Sequence, residues 1–204
     1  MTRKITVRDY SLAAQLDKNE DGMVNFPASG FGFNRYGGVQ ESGLQEGVKN
    51  NKPFVENVGS GDHWLKPTTA ASLFGLTNYL GKQGLTLSLG DMSTSNGSDP
   101  GSRSFHHGGH GHMGKRSGLD IDFRYIGNDG ESYRGVMNDS RFNVGYNQMV
   151  YNSAYTFGFS WKNSYQGKSN LLDGVRTMSG HNNHGHLGLR TNPSNMLPYR
   201  PYGR

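Results

Sequence analysis

His181-Asn182-Asn183-His184-Gly185-His186-Leu187-Gly188-Leu189 reads as a turn running into a strand. In an extended chain successive side chains alternate faces, so His184, His186 and Gly188 share one face while Gly185, Leu187 and Leu189 share the other. Leucines turned inward and imidazoles turned outward predict a strand of a half-buried sheet with a polar site above it. The spacing also suits chemistry, since two neutral imidazoles side by side on a strand supply one metal ligand and one base. A His-rich surface loop is the alternative, and the apolar alternation beside the triplet argues against it.

A second alternation precedes the first. Leu119, Ile121, Phe123 and Tyr125 fall on one face of a strand, which places Asp120, Asp122 and Arg124 on the opposite face. Leu85, Leu87 and Leu89 alternate in the same way, and Phe159 and Trp161 suggest a further strand. Pro67 and Thr68 open a helix with Ala70, Leu73, Phe74, Thr77 and Leu80 on one stripe and Gly81 at its end. Phe142, Tyr146, Met149, Val150, Ser153 and Phe157 predict a second helix. Helices interleaved with antiparallel-type strands give an α+β class, a small antiparallel sheet with flanking helices, long Gly-rich loops and a site in a cleft over the sheet.

The 204 residues suit one domain with a short appended arm over residues 1–30, the remainder spanning 31–204. In the arm, Ile5, Val7 and Asp9-Tyr10 read as a short strand. The following Asp17, Asn19, Asp21 and Gly22 match the opening of a calcium-binding loop, although Ala28 stands where its last, bidentate acid belongs. An ordinary Asx-rich turn accounts for the same residues equally well. Residues 30–62 are rich in Gly and Asn and read as irregular covering loops.

Cysteine is absent, so disulfides and thiolate metal sites are excluded and any metal must sit on His, Asp, Glu or carbonyl oxygen. The formal charge of +5 favours an anionic partner, for which wall polymers and nucleic acid both qualify. No stretch is long and apolar enough to span a membrane. Met1 to Arg8 carries charges without an apolar run and is not read as a signal peptide.

Of the eight histidines, seven fall in two clusters: His106, His107, His110 and His112 before the Asp120/Asp122 strand, and His181, His184 and His186 after it. Imidazole plus carboxylate without thiolate is a donor set that suits a catalytic zinc with three protein ligands and one open position. One loop His, one strand Asp and one terminal His would complete it.

At these residues the chain resembles the lysostaphin, D-Ala-D-Ala peptidase and hedgehog-like superfamily of zinc peptidases. Ser117-Gly118-Leu119-Asp120-Ile121-Asp122-Phe123 looks like the Gly-x-x-x-Asp part of its zinc motif. His181-x-x-His184-x-His186 is similar to the closing motif of its penicillin-insensitive murein endopeptidase branch, and Leu87 to Ser93 is like the strand leading into the first motif. The likeness covers roughly residues 62–190. It implies zinc ligands at His112, Asp122 and His186, His184 as base or transition-state stabiliser, and His181 assisting. Asp120, on the face of Asp122, would orient a ligand imidazole. One departure stands out. The family places its first ligand His seven residues before the Asp, where this chain has Lys115, so His112, or His110 in its place, fills that role only across an insertion, with Asp120 as the alternative carboxylate.

The resemblance therefore implies a zinc endopeptidase cutting amide bonds in peptidoglycan cross-links, in the periplasm or outside the cell. Lacking a signal peptide, it would be delivered by another route as a toxin, effector or lysis module, and a toxin would have an immunity protein as partner. A metal-dependent nuclease is the competing enzyme, made less attractive by the few carboxylates, so nucleic acid is an unlikely partner. A catalytically dead wall- or metal-binding module is the non-enzymatic alternative, motivated by Lys115.

Overall fold

The computed structural model describes residues 5–37, 43–49, 52–98, 116–164 and 172–189. It is a mixed α/β structure built on a mixed sheet. Three helices, α1 (Val7–Ala14), α2 (Pro67–Gly81) and α3 (Val144–Thr156), accompany eleven strands among the described residues. The strands are β1 (Val24–Asn25), β2 (Ser29–Gly30), β3 (Phe33–Arg35), β4 (Gly43–Lys49), β5 (Lys52–Val58), β6 (Trp64–Leu65), β7 (Leu87–Gly90), β8 (Asp120–Arg124), β9 (Phe159–Ser164), β10 (Arg176–Thr177) and β11 (His184–Leu189).

Seven strands form the main sheet in the order β10-β9-β11-β8-β7-β3-β2, and β1-β6 and β4-β5 form separate two-stranded pairs. The sheet is larger than the small antiparallel one expected, and it is mixed: β10/β9 and β3/β7 run parallel. Its central strands β9, β11, β8 and β7 are antiparallel to their neighbours in that run.

The alternation written into β8 and β11 becomes two unlike faces. On one side Ile121, Phe123, Leu187 and Leu189 are buried beneath the helices. The Phe123 ring meets Tyr151 of α3 edge-on at 5.4 Å between centroids. Gly185 lies on this side, where a Cβ would sit 2.5 Å from the Phe123 ring and would also collide with the Tyr151 hydroxyl. The other side carries Asp120, Asp122, Arg124, His184 and His186.

Helix α2 is buried nearly all round, from Thr69 to Leu80, because it lies against both other helices. Pro67 at its start loses no hydrogen bond there and presets the helical φ. Gly75 allows the close approach, since a Cβ would fall 2.8 Å from the Phe157 ring. Asn143 caps α3 by accepting from the Tyr146 amide at 2.8 Å.

Two local expectations need correction. Residues 7–14 form a helix, not a short strand, because Thr6 and Asp9 make a reciprocal capping box: the Thr6 amide donates to Asp9 Oδ2 at 2.8 Å and the Asp9 amide to Thr6 Oγ1 at 3.3 Å. Residues 30–62, expected as irregular loops, contain β3 and the β4–β5 hairpin. The first thirty residues also feed the common core, through Ala13, Val24 and Phe26. Phe26 packs against Phe33 and Phe74 with centroids 5.0 and 4.9 Å apart. Among the described residues no helix is long and apolar enough to cross a membrane.

Candidate functional site

Register does what spacing alone could not. In the β8–β11 pair His186 lies directly opposite Asp122, His184 opposite Arg124 and Gly188 opposite Asp120. Two residues of each strand thereby meet on the polar face. His186 Nδ1 lies 3.0 Å from Asp122 Oδ1, and its Nε2 lies 3.0 Å from Asp120 Oδ1. His184 Nε2 stands 3.4 Å from Asp122 Oδ2. Both aspartates and His186 are buried, whereas the His184 side chain keeps 19% of its surface exposed and so remains within reach of an incoming molecule.

Buried carboxylates need partners. Asp120 has Arg116, whose Nε and Nη2 each donate at 2.8 Å in a bidentate fork. The same guanidinium donates from Nη1 to the Leu189 carbonyl at 3.1 Å and so ties the start of β8 to the end of β11. A chain of polar contacts therefore runs Arg116–Asp120–His186–Asp122. Asp120 lies on the face of Asp122, as the alternation predicts, and its Oδ1 stands 3.0 Å from His186 Nε2. Arg116 was not anticipated, although a basic residue four positions before a buried Asp was the available signal.

His181 sits in the turn before β11, its ring centroid 4.7 Å from that of His184 and 6.0 Å from that of His186. That turn is fastened from below. The Tyr125 hydroxyl donates to the His181 carbonyl at 2.7 Å and lies 2.9 Å from Ser164 Oγ, and the Met137 amide donates to the Asn182 carbonyl at 2.8 Å. His184 Nδ1 bonds Asn183 Oδ1 at 2.8 Å. His184 Nδ1 is thereby engaged by Asn183, while Nε2 points toward Asp122 and the open side of the site.

Beyond Arg124 on the same face opens a pocket of about 500 Å3 whose walls include Tyr36, Ser88, Asp91, Arg124, Tyr133 and Arg134. Tyr36 packs over Gly90, the residue paired with Asp122, so closely that a Cβ there would lie 2.6 Å from its ring. Burial pushes the Tyr36 phenol well above its ordinary value, and the carboxylates of Asp122 and Asp91 add to the effect. Asp91 holds a positive φ of 45°, the one non-glycine residue among those described to do so. That conformation is tolerated by Asp better than by most residues.

The donor set fits a metal as far as it is described. Two ligands each about 2.0 Å from a tetrahedral zinc stand roughly 3.3 Å apart, and Asp122 Oδ1 and His186 Nδ1 are close to that separation. Among the described residues no group of three or more His, Asp or Glu is arranged to hold a metal. His112, the fallback His110, and Lys115 lie outside the described residues. In the Asp17–Asp21 segment, Asn19 Oδ1 accepts from the Met23 amide at 2.9 Å and its Nδ2 donates to the Ser95 carbonyl at 2.6 Å. Gly22 adopts φ +75° and its amide donates to the Asn19 carbonyl at 3.0 Å, so the segment closes as a tight turn. Comparison with models of known protein families and with curated proteins finds no match to this chain.

Proposed function

We propose that this chain is a zinc-dependent endopeptidase that hydrolyses amide bonds in peptidoglycan peptide cross-links. The observation that carries the reading is the direct opposition of Asp122 and His186 across β8 and β11, with His184 on the same face beside them. A buried carboxylate and a buried imidazole with converging atoms, next to a partly exposed second imidazole, divide naturally into ligands and base. Asp122 and His186 would hold the zinc, with His112 as the third ligand. The zinc, when bound, supplies Lewis acidity toward the scissile carbonyl and lowers the pKa of water to about 7.

The remaining work falls to the chain's own groups. His184 Nε2 takes a proton from the attacking water and delivers it to the leaving nitrogen, so amide and water become carboxylic acid and amine. His181, when protonated, donates to the oxyanion that develops on the carbonyl oxygen. Asp120 holds the His186 ring in place and Arg116 holds Asp120. The net positive charge suits an anionic wall polymer. Action outside the cytoplasm, with delivery as a toxin or lysis module, completes the proposal; an immunity protein covering the site would accompany a toxin.

Digestion of purified sacculi, read by mass spectrometry of released muropeptides, tests the reading. Cross-linked dimers should fall to monomers with zinc present and persist after chelation. Intact sacculi together with nicked plasmid DNA would replace it by the nuclease; zinc binding without either product would leave a dead module. Replacing Arg116 sharpens the test. Arg116→Gln removes the fork from a buried carboxylate, and zinc affinity measured by chelator competition should fall by about 10–100-fold. Arg116→Lys, which keeps the charge but not the fork, should fall in between. Unchanged affinity in both would remove Arg116 from the positioning chain.

A further inference from the structure

We infer that three buried hydroxyls, on Tyr151, Ser164 and Tyr125, form a chain that sets the position of His181 over the site. Tyr125 is then a positioning residue for hydrolysis, acting through His181 without touching the substrate. What His181 does there rests on the amide-hydrolase reading; the chain itself stands on its own bonds.

His181 needs such support because the turn that carries it is open. Residues Arg176 to Gly180 are exposed, and Gly180 adopts φ +86° with nothing near the position of a Cβ. The His181 ring reaches the Ser179 carbonyl through Nδ1 at 3.2 Å, a bond that travels with the turn. Exposed residues around a glycine gain little rigidity from packing. A donor meant for a developing oxyanion needs more than that, since a misplacement of about 1 Å can cost on the order of 100-fold in rate.

The fixed point lies beneath. Tyr125, one residue past β8, is fully buried, its ring edge-on to Phe142 at 5.1 Å and to Phe123 at 6.2 Å between centroids. Its hydroxyl is therefore delivered to one place, 2.7 Å from the His181 carbonyl. A carbonyl can only accept, so the single phenolic proton is spent there. Ser164 Oγ, 2.9 Å away, must then donate to the Tyr125 oxygen. Tyr151 joins from α3, its hydroxyl hydrogen-bonded to Ser164 and beside Tyr125. Burial holds the Tyr151 phenol well above its ordinary value, so it stays a protonated donor.

The chain thus donates toward the turn. Aligned hydrogen bonds polarise one another, which strengthens the terminal bond to His181. The backbone repeats the arrangement on either side: the Met178 amide donates to the Ser164 carbonyl and the Met137 amide to the Asn182 carbonyl, each at 2.8 Å. With the turn held at these points, the His181 ring stands 4.7 Å from that of His184. Packing alone does not call for the hydroxyls. Phenylalanine would fill the same volume at position 125, and a buried hydroxyl is costly unless it is hydrogen-bonded.

Tyr125→Phe keeps the ring and removes only the oxygen. With the zinc-loaded full chain and a purified cross-linked muropeptide dimer, kcat should fall about 10- to 100-fold while KM is unchanged. In a His181→Ala background the same substitution should change kcat by less than about twofold, because the group it positions is gone. Ser164→Ala should show a smaller loss that His181→Ala also erases. NMR gives a readout independent of cleavage. Cross-peaks between the His181 and His184 rings should be present in the wild type and lost in Tyr125→Phe, while those between Phe123 and Tyr151 persist and report an intact core. Histidine cross-peaks that survive Tyr125→Phe, an unchanged kcat, or a kcat loss equal in both backgrounds would overturn the inference. Loss of those cross-peaks in a protein that cleaves no dimer would keep the positioning chain and remove the hydrolase.

Discussion

On the proposed hydrolase reading, His184→Ala is expected to slow muropeptide release from sacculi by about two to four orders of magnitude without loss of zinc binding. The expectation follows from how differently the two strand histidines are held. His186 is buried with each ring nitrogen 3.0 Å from an aspartate oxygen, so it is a fixed element of the site. His184 touches Asp122 only at 3.4 Å, keeps part of its ring exposed, and has its Nδ1 2.8 Å from Asn183 Oδ1. An imidazole with one nitrogen committed and the other facing the site is placed to move protons. Losing general-base help of that size costs roughly 3–5 kcal/mol of transition-state stabilisation. Asp122→Ala and His186→Ala should behave otherwise, losing zinc and activity together. Zinc content by atomic absorption beside the rate separates the classes. If His184→Ala releases muropeptides at the wild-type rate, or loses its zinc, the base assignment is wrong.

What was legible in the sequence was the part whose pattern is local. The alternation of Leu119 to Tyr125 and of His184 to Leu189 placed two strands and their faces, because period two is visible within a few residues. Pro67 and Gly81 bounded α2 for the same reason. Helix α1 was missed although its capping box was present: Ile5 and Val7 look like alternation, and the reciprocal Thr6–Asp9 bonds outweigh it. The β4–β5 hairpin was missed because a Gly- and Asn-rich stretch carries little hydrophobic period, and strand pairing there is a matter of partner more than of pattern.

The site divides along the same line. That Asp122 and His186 share a polar face could be read from each strand separately; that they are directly opposed could not, since register between residues 64 positions apart depends on the whole sheet. Arg116, Tyr36 and the Arg124 pocket depend on such long-range placement. Tyr36 reaches the site only because β3 runs parallel beside β7, a crossover that no local signal announces.

The second large effect belongs to the face away from the chemistry. Gly185→Ala should lower unfolding stability by about 1–3 kcal/mol, and Gly185→Val by more. Gly185 lies between the two histidines of β11, on the opposite side of the strand. A Cβ there would stand 2.5 Å from the Phe123 ring and collide with the Tyr151 hydroxyl. Neither neighbour can give way cheaply: both are fully buried, and the Tyr151 hydroxyl is tied to Ser164 and lies by Tyr125. Alanine usually gains about 0.5–1 kcal/mol over glycine inside a strand, so a net loss would isolate the steric term. Relief of that clash requires β11 to shift against Phe123 of β8 and Tyr151 of α3, and a shift of β11 moves His184 and His186 relative to Asp122. Stability and hydrolysis should therefore fall together. Urea unfolding of Gly185→Ala, Tyr151→Phe and the double variant makes the cause visible. Removing the hydroxyl should recover part of the loss, so the double variant should be less destabilised than the two single changes summed. A Gly185→Ala protein as stable as wild type would mean that β11 does not sit as tightly on Phe123 and Tyr151 as its glycine demands.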